Sequence, residues 1–521
     1  MPNDIIITPA SKNISFQDGS NTVKYIKIIG TNISIDGINI GTGGGSLSSN
    51  TMYGSGSLAA NTTGAKNSAF GFQALASNTS GVNNSAFGYK ALATNTEGFS
   101  LTAFGSYALQ NNYGVVGGKG AFVAANNNSA FGTRALASNI TGVANSAFGS
   151  GALRNSIGNS NSAFGYATLL ANQTNNNNAF GYRALRYNTT GYGNSAFGHL
   201  SLTANTVGIQ NSAFGYKTLA SNTTNNNSAF GFQALANNTI GTNNSAFGYL
   251  SLSSNTTGTA NTAFGHRALG LNVSGYSNSA FGYLSLLNNT TGQNNVAVGD
   301  NALNANTFGN YNVAVGRFSL GSNTTGVNNV AVGGAALGGN TVGARNSAFG
   351  HRALRNNTTN NNSAFGYKSL YANTTGVNNS AFGFQALASN TTGIRNTAVG
   401  VQALNSNTTG ISNSAFGFVS LTANTTGIYN NAFGSYALAS NTSGINNSAF
   451  GTYALRYNKT GVSNSAFGFV SLTANTTGIS NNAFGSYALA SNTTGNRNSA
   501  FGTYALRYNT VGINNSAFGF G

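Results

Sequence analysis

The chain has 521 residues, of which 40% are hydrophobic, 11% aromatic and only 5% charged. That rules out an ordinary disordered chain, which carries many charges and few aromatics, and it falls well short of the charge content of a typical globular domain. With 22 Lys and Arg against 5 Asp and Glu, the net charge of +17 favours acidic partners. No dense basic run or nucleic-acid-binding motif accompanies it, so specific nucleic-acid recognition is not expected. There is no cysteine, hence no disulfide and no thiolate metal site. No apolar run approaches the roughly 18 residues needed to cross a bilayer. The N-terminus also lacks the basic and apolar regions of a secretory signal, so synthesis and folding in a cytoplasm are expected, without membrane insertion.

Residues 1–49 stand apart. Residues 5–7, 14–16, 23–29 and 33–35 are rich in Ile and read as strands, with Asp18, Gly19, Gly30, Asn32, Asp36 and Gly37 at the turns between them. They predict a small N-terminal β module of about four strands, and residues 41–49 read as a Gly/Ser linker. This segment, 1–49, is the expected point of attachment to something larger.

Residues 50–521 are one repeat array. A Phe position recurs 28 times from Tyr53 to Phe518, always followed by Gly and, except at Tyr53, always preceded by Ala. Leu follows five residues later, as in Phe70 with Leu75, Phe87 with Leu92, Phe247 with Leu252 and Phe416 with Leu421. The usual spacing is 17 residues, which predicts an all-β fold: a parallel β-roll or β-solenoid of 28 coils, about 130 Å long at a strand spacing near 4.8 Å. Strand alternation puts Phe87 on one face and Ala86 with Gly88 on the other. Phe and Leu are expected to meet inside the coil, Leu on a second short strand, and Asn95-Thr96-Glu97-Gly98 to turn the chain back. Burying such a pair contributes roughly 2–3 kcal/mol per side chain, whereas ordering one coil's backbone costs roughly 17–34 kcal/mol. A coil therefore needs neighbours, and ladders of Phe, Leu and Asn are expected between coils. The Ala/Gly face is left for close approach by another chain.

Four intervals are 16 residues, and three of them share a turn without its Gly, as at Thr223-Thr224-Asn225-Asn226-Asn227. A slip inside a strand would exchange its faces, so the deletion belongs in the turn. One interval, Phe104 to Phe131, is 27 residues and predicts a lateral loop near Tyr113 to Asn127. Phe418-Val419-Ser420-Leu421 returns 51 residues later as Phe469-Val470-Ser471-Leu472, a three-coil super-period that reads as tandem duplication. No C-terminal domain is expected after Gly521.

Asn295-Val296-Ala297-Val298-Gly299 and its many Asn-Ser-Ala-Phe-Gly relatives resemble the head repeat of YadA-like trimeric adhesins. The resemblance implies a left-handed β-roll, trimerised about its long axis, that binds surfaces. With neither a secretory signal nor a barrel anchor expected, cytoplasmic assembly fits a bacteriophage tail fibre, in which similar repeats with Asn-Thr-Thr-Gly turns follow a small N-terminal β module. The residues from Pro2 to Ala10 also look like the start of phage structural proteins. The expected protein is then a homotrimeric virion fibre, joined to the particle through 1–49 and attaching to a host surface. The alternatives are a trimeric adhesin passenger on a bacterial surface, and a monomeric scaffold or ice-binding solenoid.

Lys90, Arg134, Arg183, Lys217, Arg267, Arg352 and Lys368 occupy one column, two residues after the Gly. They read either as ribs that hold an anionic surface glycan or lipopolysaccharide, or as charges that keep exposed strands from aggregating. Arg154, Arg186, Arg355, Arg456 and Arg507 follow the Leu as a second set. Phe72, Tyr89, Tyr182 and Tyr249, one after the Gly, read as sugar-stacking rings or as packing between coils. His199, His266 and His351 share that column, roughly 19 and 24 Å apart by coil rise. One chain cannot gather them on a metal, although three copies of one His around a trimer axis could meet. No cofactor or metal is expected. Catalysis is not expected either: the array's acids, Glu97 and Asp300, lie roughly 58 Å apart by coil rise, too far for the two carboxylates of a glycosidase. The recurring Asn-X-Thr triplets read as turn chemistry rather than glycosylation sites.

Overall fold

The computed structural model describes residues 13–17, 23–29, 32–35, 37–112, 114–117, 121–124 and 126–520. The strand expected at 5–7 and the segment 2–10 lie outside these. The chain forms two compact units, 1–257 and 258–521.

Strands Asn13–Gln17, Val23–Ile29, Asn32–Ile35 and Ile38–Gly41 form an antiparallel meander. The last runs antiparallel to Thr51–Tyr53, pairing Ile40 with Tyr53. Residues 41–49, read from sequence as a Gly/Ser linker, are fitted onto the first coil. The Gly44 amide donates to Leu58 O at 3.0 Å, and Asn61 Nδ2 donates to Gly44 O at 3.1 Å. A Cβ on Gly43, which has φ 79°, would sit 2.6 Å from Leu58 Cβ. The first coil has no preceding coil to satisfy its polar groups, and this close-fitting Gly-rich segment partly replaces it.

The array is a parallel β-solenoid of about 27 coils of about 17 residues, with no α-helix among the described residues. Each coil contributes one three-residue strand that pairs in register with the next: Ser68 with Ser85, Ala69 with Ala86, Phe70 with Phe87. The first unit carries such strands from Thr51–Tyr53 to Ser245–Phe247, and the second from Thr262–Phe264 to Ser516–Phe518. Backbone bonds run to both neighbours. Gly88 N donates to Phe70 O at 2.8 Å, and Leu92 N to Ala108 O at 3.0 Å. The turn amides of Thr79, Ser80 and Gly81 converge on Thr96 O at 2.9, 3.2 and 3.3 Å.

The strand faces are reversed from the sequence expectation. Ala86 and Leu92 are fully buried, whereas Phe70, Phe87, Phe247 and Phe416 point outward and are half-exposed. With three strand residues and tight turns per coil, the lumen holds two small side chains, a Leu and two Asn, as at Ala86, Ala91, Leu92, Asn84 and Asn95, and has no room for a ring. Leu75, Leu92, Leu252 and Leu421 are fully buried, but they reach the interior from a turn rather than a second strand, with left-handed φ of 51°, 51°, 49° and 50°. Such a conformation costs a non-Gly residue about 1–3 kcal/mol and persists only where the surroundings enforce it. The Ala face expected between chains is thus inside the coil. The Gly column is closed as well: on Gly71, at φ 132°, a Cβ would lie 2.5 Å from Gly88 O.

Two columns of buried Asn complete the interior. In one, Asn84 N donates to Asn67 Oδ1 at 3.0 Å and Asn84 Nδ2 to Gly98 O at 2.8 Å. In the other, Asn78 Nδ2 donates to Asn61 Oδ1 at 2.9 Å and to Gly81 O at 3.1 Å. Asn61, from the triplet Asn61-Thr62-Thr63, is 2% exposed, so its amide is committed to the fold.

The irregular coils preserve strand register. Across one 16-residue interval Ala213 still pairs with Ala229. In place of the missing turn Gly, Thr224 Oγ1 donates to Gly241 O at 2.6 Å, and Asn225 Oδ1 accepts from Ile209 N at 2.9 Å. Within the 27-residue interval, Gly114–Gly117 and Ala121–Ala124 form an antiparallel hairpin, while Ala103 pairs with Ala130 across its base. Tyr113 lies outside the described residues.

Candidate binding surface

What the coil excludes becomes its outer surface. From Phe70 to Phe247 the Phe rings of the first unit stack with centroids 4.3–5.2 Å apart. A second run, from Phe416 to Phe518, continues at 4.7–5.0 Å in the other unit. Strand spacing sets these distances, and stacked rings at 4.5–7 Å attract beyond their area burial.

The column one after the Gly forms a second ladder. Tyr166, Tyr182, His199, Tyr216, Phe232 and Tyr249 stack in sequence at 5.0–5.5 Å. Phe72 and Tyr89 do the same at 5.4 Å. These rings pack between coils, as one of the two sequence readings of this column has it, and they remain exposed. His199 is sandwiched between Tyr182 and Tyr216, while His266 and His351 stack on Tyr283 and Tyr367. All three are exposed members of the ladder, and among the described residues no His, Cys, Asp and Glu group could hold a metal.

The first cation column lies beside this ladder. Lys90, Arg134, Arg183, Lys217, Arg267, Arg352 and Lys368 all take left-handed φ, between 51° and 59°. Their charges lean on neighbouring rings: Lys90 over Tyr89 at 5.4 Å, Arg183 over Tyr182 at 4.9 Å, Lys217 over Tyr216 at 5.4 Å, and Lys368 over Tyr367 at 5.3 Å. Arg134 lies 5.8 Å from the Tyr107 ring. Among the described residues, Arg267 and Arg352 lie over no ring.

The second cation set makes a tighter arrangement that sequence reading missed. Arg456 lies 4.9–5.1 Å from the rings of Tyr436, Tyr453 and Tyr457, and Arg507 lies 4.9–5.2 Å from Tyr487, Tyr504 and Tyr508. The signal was present in the recurring Leu-Arg-Tyr-Asn, at Leu185, Leu455 and Leu506. A guanidinium lying on a ring face keeps its edge donors free for an anion. Elsewhere Arg355 Nη1 donates to the Tyr371 hydroxyl at 3.3 Å, and this hydrogen bond, aided by nearby positive charge, lowers the Tyr371 pKa below its ordinary 10.0. Asp300 is paired with Arg317 at 3.2 Å. Chemically, the surface offers ladders of ring faces with guanidinium or ammonium donors on some of the coils, which suits sugar rings bearing acidic groups.

Searches against protein-family models, curated proteins and solved structures gave no match. Among the described residues, no helix is long and apolar enough to cross a membrane.

Proposed function

We propose that the protein is a structural attachment fibre that holds a cell surface through many weak, equivalent contacts. The observation carrying this reading is the outer face, where aromatic rings recur in register from coil to coil and cations stand beside them on some of the coils. Repetition turns weak contacts with an acidic glycan or lipopolysaccharide into firm attachment, because each bound coil raises the effective concentration for the next. The fibre is a homotrimer of the YadA-like kind, most like a phage tail fibre, with residues 1–49 joining it to the virion. It is not an enzyme.

The buried Ala face leaves the Phe ladder as the natural seam between chains, since it is the continuous apolar stripe on each unit. The ice-binding alternative loses support, because turn threonines spend their hydroxyls between coils, as Thr391 Oγ1 does on Thr408 O at 3.1 Å. Light scattering after gel filtration tests the assembly. A mass three times 52.9 kDa, falling to the single-chain value in Phe197→Asp/Phe214→Asp, supports the fibre. A single-chain mass for the unaltered protein overturns the trimer.

A further inference from the structure

The second aromatic ladder has a gap. Ser106, Thr133 and Ser150 stand where Tyr89 precedes them and Tyr166 follows. Where the rings are missing there is a groove of about 360 Å³, floored by Gly151 and Ala167 and lined by Arg134, Arg154 and Arg186. Tyr107 and Tyr166 also line it. One face of Tyr166 stacks on Tyr182 at 5.5 Å. Its other face looks toward the Ser150 coil, where no ring covers it, and the residue is 51% exposed.

The charge here is uncompensated. No carboxylate lines the groove, and none of its three arginines forms an ion pair among the described residues. Arg186 Nε is buried from solvent and has no hydrogen-bond partner. Arg154 and Arg186 sit in one column two coils apart, roughly 10 Å by strand spacing. Like charges held together repel, and an anion in the groove relieves that repulsion.

We infer that this groove is a discrete binding site for an acidic oligosaccharide segment. The guanidinium forks match carboxylate or sulfate groups. The hydroxyls of Ser106, Thr133 and Ser150 suit sugar hydroxyls, and the open Tyr166 face suits a pyranose ring. The groove follows the coil axis, as a chain-like ligand requires. The inference deepens the attachment reading and rests on it for the class of ligand. It differs in predicting one site per chain instead of many equivalent ones.

Isothermal titration of the full chain tests this with four probes: oligogalacturonate, a heparin-derived oligosaccharide, a neutral cello-oligosaccharide and a short oligo-dT. At least one acidic sugar binds at one per chain, and the stronger of the two identifies carboxylate or sulfate as the favoured group. The neutral sugar does not bind, and oligo-dT binds more weakly. Arg154→Gln/Arg186→Gln weakens binding about tenfold or more. So does Gly151→Tyr, which fills the groove without removing a charge. A Cβ at Gly151 meets nothing closer than 3.5 Å, and Tyr453 occupies the same column at φ 61°, so this variant is expected to fold, with its melting curve as the check. Arg267→Gln/Arg352→Gln, an equal charge loss in the other unit, changes binding less than about twofold.

Wild-type affinity in Gly151→Tyr, an equal loss in Arg267→Gln/Arg352→Gln, preference for oligo-dT, or absence of a one-per-chain site each overturns the groove. Many weak sites insensitive to Gly151→Tyr would remove the groove and leave the attachment face standing. One sensitive site on a protein whose surface adsorption ignores coil number would do the reverse.

Discussion

Asn413→Ala tests whether the polar columns hold the coils together. Asn413 is fully buried. Its Nδ2 donates to Asn396 Oδ1 at 3.2 Å and to Gly427 O at 2.7 Å. Its Oδ1 accepts from the Asn430 backbone N at 3.0 Å and from Asn430 Nδ2 at 3.1 Å. Alanine removes all four bonds. Three partners keep another bond: Asn396 Oδ1 to the residue 413 amide, Gly427 O to Asn424 Nδ2, and Asn430 Nδ2 to Gly444 O. The Asn430 N–H loses its only side-chain acceptor. At roughly 1 kcal/mol for each of three replaceable bonds, and 1–3 kcal/mol more for the orphaned donor, local stability falls by about 4–6 kcal/mol. Contacts between coils are nearest-neighbour, so the loss concentrates around the altered coil. Hydrogen exchange measured at the Asn430 amide should accelerate by about three to four orders of magnitude. Thr409→Ala, at an exposed turn position, should leave it unchanged. Exchange at Asn430 within about tenfold of wild type would refute the reasoning.

Three further outcomes are expected. In Gly417→Ala, at φ 140°, the new Cβ would lie 2.5 Å from Gly434 O. Overpacking of about 1–3 kcal/mol or more should open a protease-sensitive site there, whereas Gly519→Ala, with nothing within 4 Å, should resist digestion like wild type. Leu421→Ala empties a fully buried site and should lower unfolding stability by about 2–5 kcal/mol, while the half-exposed Phe416→Ala costs visibly less in the same denaturant titration. In an absorbance titration Tyr371 should ionise below the ordinary tyrosine value of 10.0, and Arg355→Gln should diminish that shift. The sign follows from the lowered pKa: the tyrosinate–Arg355 contact stabilises the fold at pH above the unfolded value near 10 and is lost as pH falls through the folded value.

Much of the architecture is legible in the sequence because a fixed spacing can be satisfied only by stacking. Placing the deletion at Thr223 to Asn227 and the insertion between Phe104 and Phe131 needs only the rule that register survives. Alternation separates Phe87 from Ala86 but does not say which faces inward. Hydrophobicity argues for Phe, and the narrow lumen decides for Ala. The burial of Asn84 and Asn95 runs against their polarity, yet a signal existed. The Asn84 column is nearly constant along the chain, while its neighbour varies among Lys66, Asn83, Ala144 and Gln210. Constancy marks a side chain bonded to its own copies above and below. The groove at Arg134, Arg154 and Arg186 was hidden because it joins two cation columns that sequence spacing treats separately, and because absent rings create it.

The central claim is attachment by repetition, and the 51-residue super-period offers a direct test. Deleting residues 418–468 joins Gly417 to Phe469 and recreates the native Gly-Phe junction three coils shorter; duplicating the same segment lengthens the array equally. The groove lies outside the altered segment. The measurement is residence time on an acidic-glycan surface for the deleted, native and duplicated chains. The account predicts that residence time rises several-fold at each step while the melting temperature stays nearly constant. Residence times that are equal across the three lengths would contradict it.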